Sequence, residues 1–152
     1  MTTPYDSTAD TSAHIDEVQR GLERFIEELS ARGERHDRSK LESPEKEAFD
    51  RTTPRLRGLT YGSPEYKAAL DDLGPALKHH YQNNSHHPEY WTNGISGMSL
   101  FDIVEMFTDW HAASKRHNNG NFSRSLEINK ERFGLSEQLA HIFENTRREL
   151  GW

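Results

Sequence analysis

Nine histidines stand in this chain of 152 residues, and four of them, His79, His80, His86 and His87, fall within one short stretch. Imidazoles gathered in this way suggest metal ligation, because neutral ring nitrogens bind transition metals well. His36-Asp37 adds an adjacent imidazole and carboxylate, which can reach one cation through a ring nitrogen and an oxygen. Asp102, Glu105 and Asp109 are spaced three and seven apart, hence on one face of a helix. That helix is apolar on nearly every side, with Leu100, Phe101, Ile103, Val104, Met106, Phe107 and Trp110. A carboxylate buried in such a helix costs several kcal/mol unless it is paired or holds a metal. Asp109, well inside the helix, is read as a metal or catalytic residue. Asp102 is read as a helix cap, and Glu105 as a surface residue.

The elements that must position these groups are all helical. The stripe Val18, Leu22, Phe25, Ile26 and Leu29 defines a first helix from about Ala13 to Arg32, capped by Ser12 and ended by Gly33, with His14 on the same stripe. Ser43-Pro44 opens a second helix, and Pro54, Gly58 and Gly62 mark the loop after it. Ser63-Pro64 starts a third helix, running to about Leu73. Gly74-Pro75 breaks it, and a helix from Ala76 to about Asn83 follows. His80 continues the inward stripe of Leu73 and Leu77, whereas His79 follows Ala76. His86 and His87 lie in a loop that extends through Gly97, because Pro88 keeps His87 out of helical geometry. Ser99 with Asp102 caps a helix to about Arg116, and His117 to Gly120 form a turn. Two last helices span Ser125–Phe133 and Glu137–Leu150, the second capped by Ser136. No strand pattern and no repeat is found. The expected architecture is a single all-α domain over residues 12–152, behind a loose arm at residues 1–11.

Net charge is −6, which argues against a protein that coats duplex nucleic acid. There is no cysteine, which removes disulfides, thiolate zinc sites and a cysteine nucleophile. No apolar run approaches the length of a membrane span, so no membrane partner is expected. A cytoplasmic home follows by default.

The order His14, His36-Asp37, His79-His80, His86-His87, Asp109 resembles the HD superfamily of metal-dependent phosphohydrolases. The stretch His36-Asp37-Arg38-Ser39-Lys40 looks like that superfamily's His-Asp-x-x-Lys signature. More closely, HDRSKLESPEKEAFDRTTPRLRGLTYGSPEY, ALKHHYQNNSHHPEYW, GMSLFDIVEMFTDWHAASKRH and INKERFG resemble a phage-associated HD-like family without an assigned activity. The resemblance covers nearly all of the chain after the arm. It implies a helical bundle of the HD type, in the host cytoplasm if the protein is phage-encoded.

By position, His14, His36, Asp37 and Asp109 match the superfamily's four-ligand core. The extra histidines match its ligand-rich branch, which holds two metals. Its members include cyclic-dinucleotide phosphodiesterases and a few di-iron oxygenases. The two histidine pairs depart from those members in spacing, so the choice among them stays open. His80 and His87 rank ahead of His79, His86 and Glu105 as ligands. One or two divalent ions of Mn, Fe, Zn, Co or Ni are the expected cofactors. Asp37 and Lys40 are the expected catalytic pair, with Lys40 facing substrate phosphate. Asn83, Asn84, Lys115 and Arg116 are candidate substrate contacts. The expected reaction is hydrolysis of a nucleotide or related phosphate ester by a metal-activated water. The alternatives are di-iron oxygenase chemistry and a non-catalytic protein that sequesters a nucleotide. A homodimer stays open.

Overall fold

The computed structural model describes residues 4–60, 62–116 and 120–152. The expected turn at His117 lies largely outside them. Among the described residues every regular element is a helix, so the chain is all-α as expected. It divides into two compact units, Met1–Arg35 and His36–Trp152.

The first unit is one long helix, α1 (Thr8–Arg35). It starts earlier than the expected Ser12 cap, because Asp6 takes over the start: its Oδ1 accepts from the Thr8 amide at 3.0 Å and the Thr8 hydroxyl at 2.6 Å. The arm is correspondingly shorter. Gly33 does not stop the helix. No residue of α1 is buried, and Val18, Leu22 and Ile26 are about half exposed or more. The stripe's period identified a helical face correctly, but a period says nothing about what covers that face.

The second unit contains α2 (Glu45–Arg57), α3 (Pro64–Asp71), α4 (Pro75–Asn83), α5 (Leu100–Ser114), α6 (Phe122–Phe133) and α7 (Glu137–Glu149). Short 3₁₀ turns at Arg38–Leu41, Pro88–Tyr90 and Gly94–Gly97 join them. Pro54 does not end α2, which runs on to Arg57. The ring removes one hydrogen bond, but Asp50 and Pro54 are both exposed, so water can reach the freed carbonyl. Three caps match the sequence reading. Ser63, Ser99 and Ser136 accept from the amides of Tyr66, Asp102 and Leu139 at 3.1, 3.2 and 3.2 Å.

Two apolar clusters flank the polar centre. One joins α5, α6 and α7 through Met106, Phe107, Trp110, Leu126 and Phe143, with Trp152 against it. The other joins α2, α3 and α4 through Ala48, Leu73 and Ala76. Phe107 lies with ring centroids 5.2 Å from Phe122, 5.0 Å from Phe143 and 5.6 Å from Trp152. Phe107→Ala is expected to cost about 3 kcal/mol in denaturant unfolding, since a buried ring cannot be refilled by its neighbours. A loss below about 1 kcal/mol would mean that this cluster carries little of the stability. No helix among the described residues is long and apolar enough to cross a membrane.

Candidate metal centre

Asp37 is the residue around which the centre is built. Its backbone adopts φ 56°, ψ 16°, in the left-handed region that aspartate and asparagine tolerate better than most residues. The 3₁₀ turn Arg38–Leu41 begins there, so the chain reverses at the carboxylate. The two Asp37 oxygens face different partners. Oδ2 accepts from the Lys40 ammonium at 2.6 Å. Oδ1 is buried and accepts no hydrogen bond.

Three imidazoles converge on that bare oxygen. His80 Nε2, from α4, lies 3.3 Å from Asp37 Oδ1, and His86 Nε2, from the loop after α4, lies 3.5 Å away. His87 Nε2 is 2.8 Å from His80 Nε2. His86 Nε2 is itself buried and without a partner. Two orphaned atoms at this distance are costly in a folded protein unless something joins them. One ligand atom from each of Asp37, His80, His86 and His87 falls within 4.8 Å of the others. A divalent transition cation fits this donor set, because it would satisfy both orphans and take three imidazole nitrogens with one carboxylate oxygen.

A second donor group shares Asp37. His36 Nε2 lies 3.6 Å from Asp37 Oδ2 and 3.5 Å from Asp109 Oδ1. These three also fall within one 4.8 Å span. Asp109 and Glu105 project from one face of α5, while Met106, Phe107 and Trp110 pack into the core on the other. The same helix therefore positions the carboxylates and anchors them.

Behind the imidazoles stand two further carboxylates. Glu105 Oε1 lies 2.9 Å from His36 Nδ1 and 3.1 Å from His86 Nδ1. Glu45 is fully buried at the start of α2 and accepts from Ser39 Oγ at 2.9 Å, with His79 Nδ1 at 2.7 Å and His80 Nδ1 at 2.8 Å. Each carboxylate takes Nδ1–H from two rings, which leaves the Nε2 atoms of His36, His80 and His86 aimed inward. This is how metal-ligating histidines are held in most metal sites. His36, His86 and Glu105 also bring one ligand atom each within 4.8 Å of the others. Binding through Nδ1 would leave the inward Nε2 of His86 orphaned, so Glu105 is better described as a clamp than as a ligand. Glu105→Gln keeps the shape and removes the charge. It is expected to weaken metal affinity by between about tenfold and about a hundredfold with folding intact. Unchanged affinity in a chelator competition would remove the clamp role.

The electrostatics follow from this packing. Burial disfavours a charged His36, but hydrogen bonds to Asp109 and Glu105 and the charge of Asp37 outweigh it and raise its pKa to about 10. Burial, then the neighbouring His86 and His80, push His87 down to about 2. Burial and Lys40 also lower His80, against the opposing pull of Asp37 and Glu45. Burial works against the Asp37 charge, yet Lys40 and His36 hold its carboxyl well below the usual range. Glu105 is likewise held low, because hydrogen bonds to His36 and His86 outweigh its burial.

Several expected site residues are placed elsewhere. His14 is exposed on α1 and belongs to none of the donor groups among the described residues. Its place on the apolar stripe is in phase with Val18 along one face of α1, in the unit that does not hold the donors. His79 turns to Glu45 with 41 % of its side chain exposed, and His86, ranked behind His87, is one of the two orphans. Asn83 Nδ2 donates to the His79 carbonyl, back along its own helix. Asn84 Nδ2 donates to Ser39 Oγ and the His80 carbonyl, which ties the 3₁₀ turn to α4. Lys115 is exposed and does not line the cavity described next. Asp102 is the cap expected, taking the Ser99 amide at 2.9 Å and the Ser85 hydroxyl at 2.7 Å. Glu45 and Ser39 escaped the sequence reading. An acid in a first helical turn has an ordinary explanation in the helix dipole, so nothing local marked Glu45.

A cavity of about 670 Å³ opens beside the donors. Lys40, His80, His87 and Asp109 line it on the side of the donors, and Phe49, Leu56 and Trp110 give it apolar lining. The Lys40 ammonium also lies 4.9 Å over the Phe49 ring.

Residues 3–149 match the model of a family described as a family of unknown function (DUF5662). No curated protein and no solved structure matches the chain.

Proposed function

The chain belongs to DUF5662, a family of unknown function, and we propose from its donor set that it is a metal-dependent phosphohydrolase of the HD type acting on a nucleotide or related phosphate ester. One observation carries this reading. Asp37 Oδ1 and His86 Nε2 are buried, unpartnered and 3.5 Å apart, and their neighbours Lys40, His80, His87 and Asp109 line a cavity large enough for a small molecule. The order of His36-Asp37, the later histidines and Asp109 supports the HD assignment.

A bound transition cation supplies a water that ionises near neutral pH and a positive charge beside a phosphoryl oxygen. The chain's own groups do the rest. Asp37, His80, His86 and His87 hold one cation position. His36 and Asp109 share Asp37 to form the other. Glu45 and Glu105 fix the rings. Lys40 lines the cavity 2.6 Å from Asp37 and has no lone pair when protonated, so it serves the substrate rather than the metal. Its ammonium is placed to neutralise a phosphate oxygen.

The experiment is elemental analysis of protein purified without a histidine tag, followed by phosphate release from mono- and diesters with Mn, Fe, Zn, Co or Ni added. At least about half an equivalent of metal and metal-dependent release are expected. Lys40→Ala is expected to keep the metal and lose tenfold or more in rate, equivalent to about 1.4 kcal/mol of transition-state stabilisation. Loss of metal along with rate would make Lys40 a structural support of the centre. Iron-dependent oxygen uptake without phosphate release would replace the reading with oxygenase chemistry. Tight nucleotide binding without turnover would replace it with sequestration.

A further inference from the structure

The outer end of the cavity has a charge character that the metal centre does not use. The chain as a whole is acidic, at −6. Yet Lys40, Arg57, Lys67, Arg116 and Arg132 line this one cavity, against only Asp71 and Asp109. Asp109 belongs to the donor set. Arg132 is occupied by Glu89 at 2.7 Å. Arg57, Lys67 and Arg116 come from the end of α2, from α3 and from just after α5, and among the described residues none of them makes an ion pair. Three elements thus bring three cations without ion pairs to one cavity, and away from its donors. Arg57 stands twelve residues beyond Glu45 on α2, about 18 Å at 1.5 Å per residue, and Arg116 lies past the end of α5, seven residues beyond Asp109. Elsewhere in the unit half of the described cations are paired, as in Lys46–Asp50, Arg55–Asp72 and Lys130–Glu137, so it is the gathering of unpaired cations in one cavity, not their lack of partners, that sets these three apart. Phe49, Leu56 and Trp110 give the same cavity apolar lining. A lone phosphate would leave most of a volume near 670 Å³ unfilled.

We infer that the cavity takes a substrate with two phosphate groups, one held at Lys40 beside the metal centre and the other among Arg57, Lys67 and Arg116, with an apolar middle between them. The role of the inner phosphate rests on the hydrolase reading above. Guanidinium groups suit the outer one, because their planar donors bind phosphate in a bidentate fashion.

The test compares hexyl phosphate with hexane-1,6-diyl bisphosphate by calorimetry, on metal-free and metal-loaded protein at about 0.15 M salt. These probes share a chain and differ only in the second phosphate. At least tenfold tighter binding of the bisphosphate is expected in both forms, with the preference shrinking as salt rises. The exposed triple change Arg57→Ala, Lys67→Ala, Arg116→Ala is expected to erase the preference while leaving hexyl phosphate affinity, metal content and circular dichroism unchanged. Equal affinity for the two probes, or a preference that survives the triple change, overturns the inference. Turnover is read separately. If the preference holds and no phosphate is released under any metal, the hydrolase reading falls and the outer phosphate site stands.

Discussion

Asp37→Asn is expected to lower metal affinity by at least a thousandfold and to remove phosphate release with it. The substitution is chosen for its backbone. Asparagine tolerates the left-handed conformation at φ 56° about as well as aspartate, so the turn at Arg38–Leu41 survives. What changes is the charge shared by both donor groups. An amide oxygen binds a transition cation far more weakly than a carboxylate, and its NH₂ would face either the Lys40 ammonium or the imidazoles of His80 and His86. Metal content after dialysis and a competition titration against a chelator read the result directly. Retained stoichiometric metal in Asp37→Asn would exclude Asp37 as the centre of the site. The control is His79→Ala, whose half-exposed ring points to Glu45 and should leave metal content close to that of the parent chain.

The second large effect is on pH. In the metal-free protein the His36 pKa is raised to about 10, so its imidazole is protonated at neutral pH and must lose a proton to bind metal. The direction is therefore fixed. Affinity at the position shared by His36, Asp37 and Asp109 rises with pH, by about tenfold per unit, until the pH passes that pKa. Between pH 6 and pH 9 the gain is about a thousandfold. His87, pushed down to about 2, is already neutral across this range and adds no slope there, and burial lowers His80 in the same direction. Metal titrations in buffers of different ionisation enthalpy should show about one proton released per cation bound at this position near pH 7. A flat affinity between pH 7 and pH 9 would mean that His36 is not a ligand.

The helices were legible where a local rule sufficed. Ser63, Ser99 and Ser136 cap helices because their side chains meet an amide three residues on, a relation contained within four positions of sequence. Pro54 and Gly33 misled for the same reason. Each is a local breaker whose cost depends on exposure, and both positions are exposed. The donor chemistry was legible as residue type, since clustered imidazoles and an aspartate inside an apolar helix have few other uses. The choice between neighbours was legible only in part. For His79 and His80 it was, because both lie on one helix: His80 continues the stripe of Leu73 and Leu77, and it is His80 that turns to Asp37. Between His86 and His87 no such stripe exists. His86 and His87 sit in a loop without periodicity, and both reach the centre. Glu45 and Glu105 act on rings far away in sequence, so their role exists only once the chain is folded.

The single oxygen Glu105 Oε1, which meets both His36 and His86, has a thermodynamic consequence. These rings belong to different donor groups, and Asp37 is common to both. The two positions therefore cannot titrate independently. An ion at one position draws charge from Asp37 and polarises Glu105, which alters the affinity of the other, and reciprocity requires the same factor in the opposite order of filling. Two cations sharing one carboxylate also repel. Metal uptake should then proceed in two separated steps, with the first equivalent held far more tightly than the second.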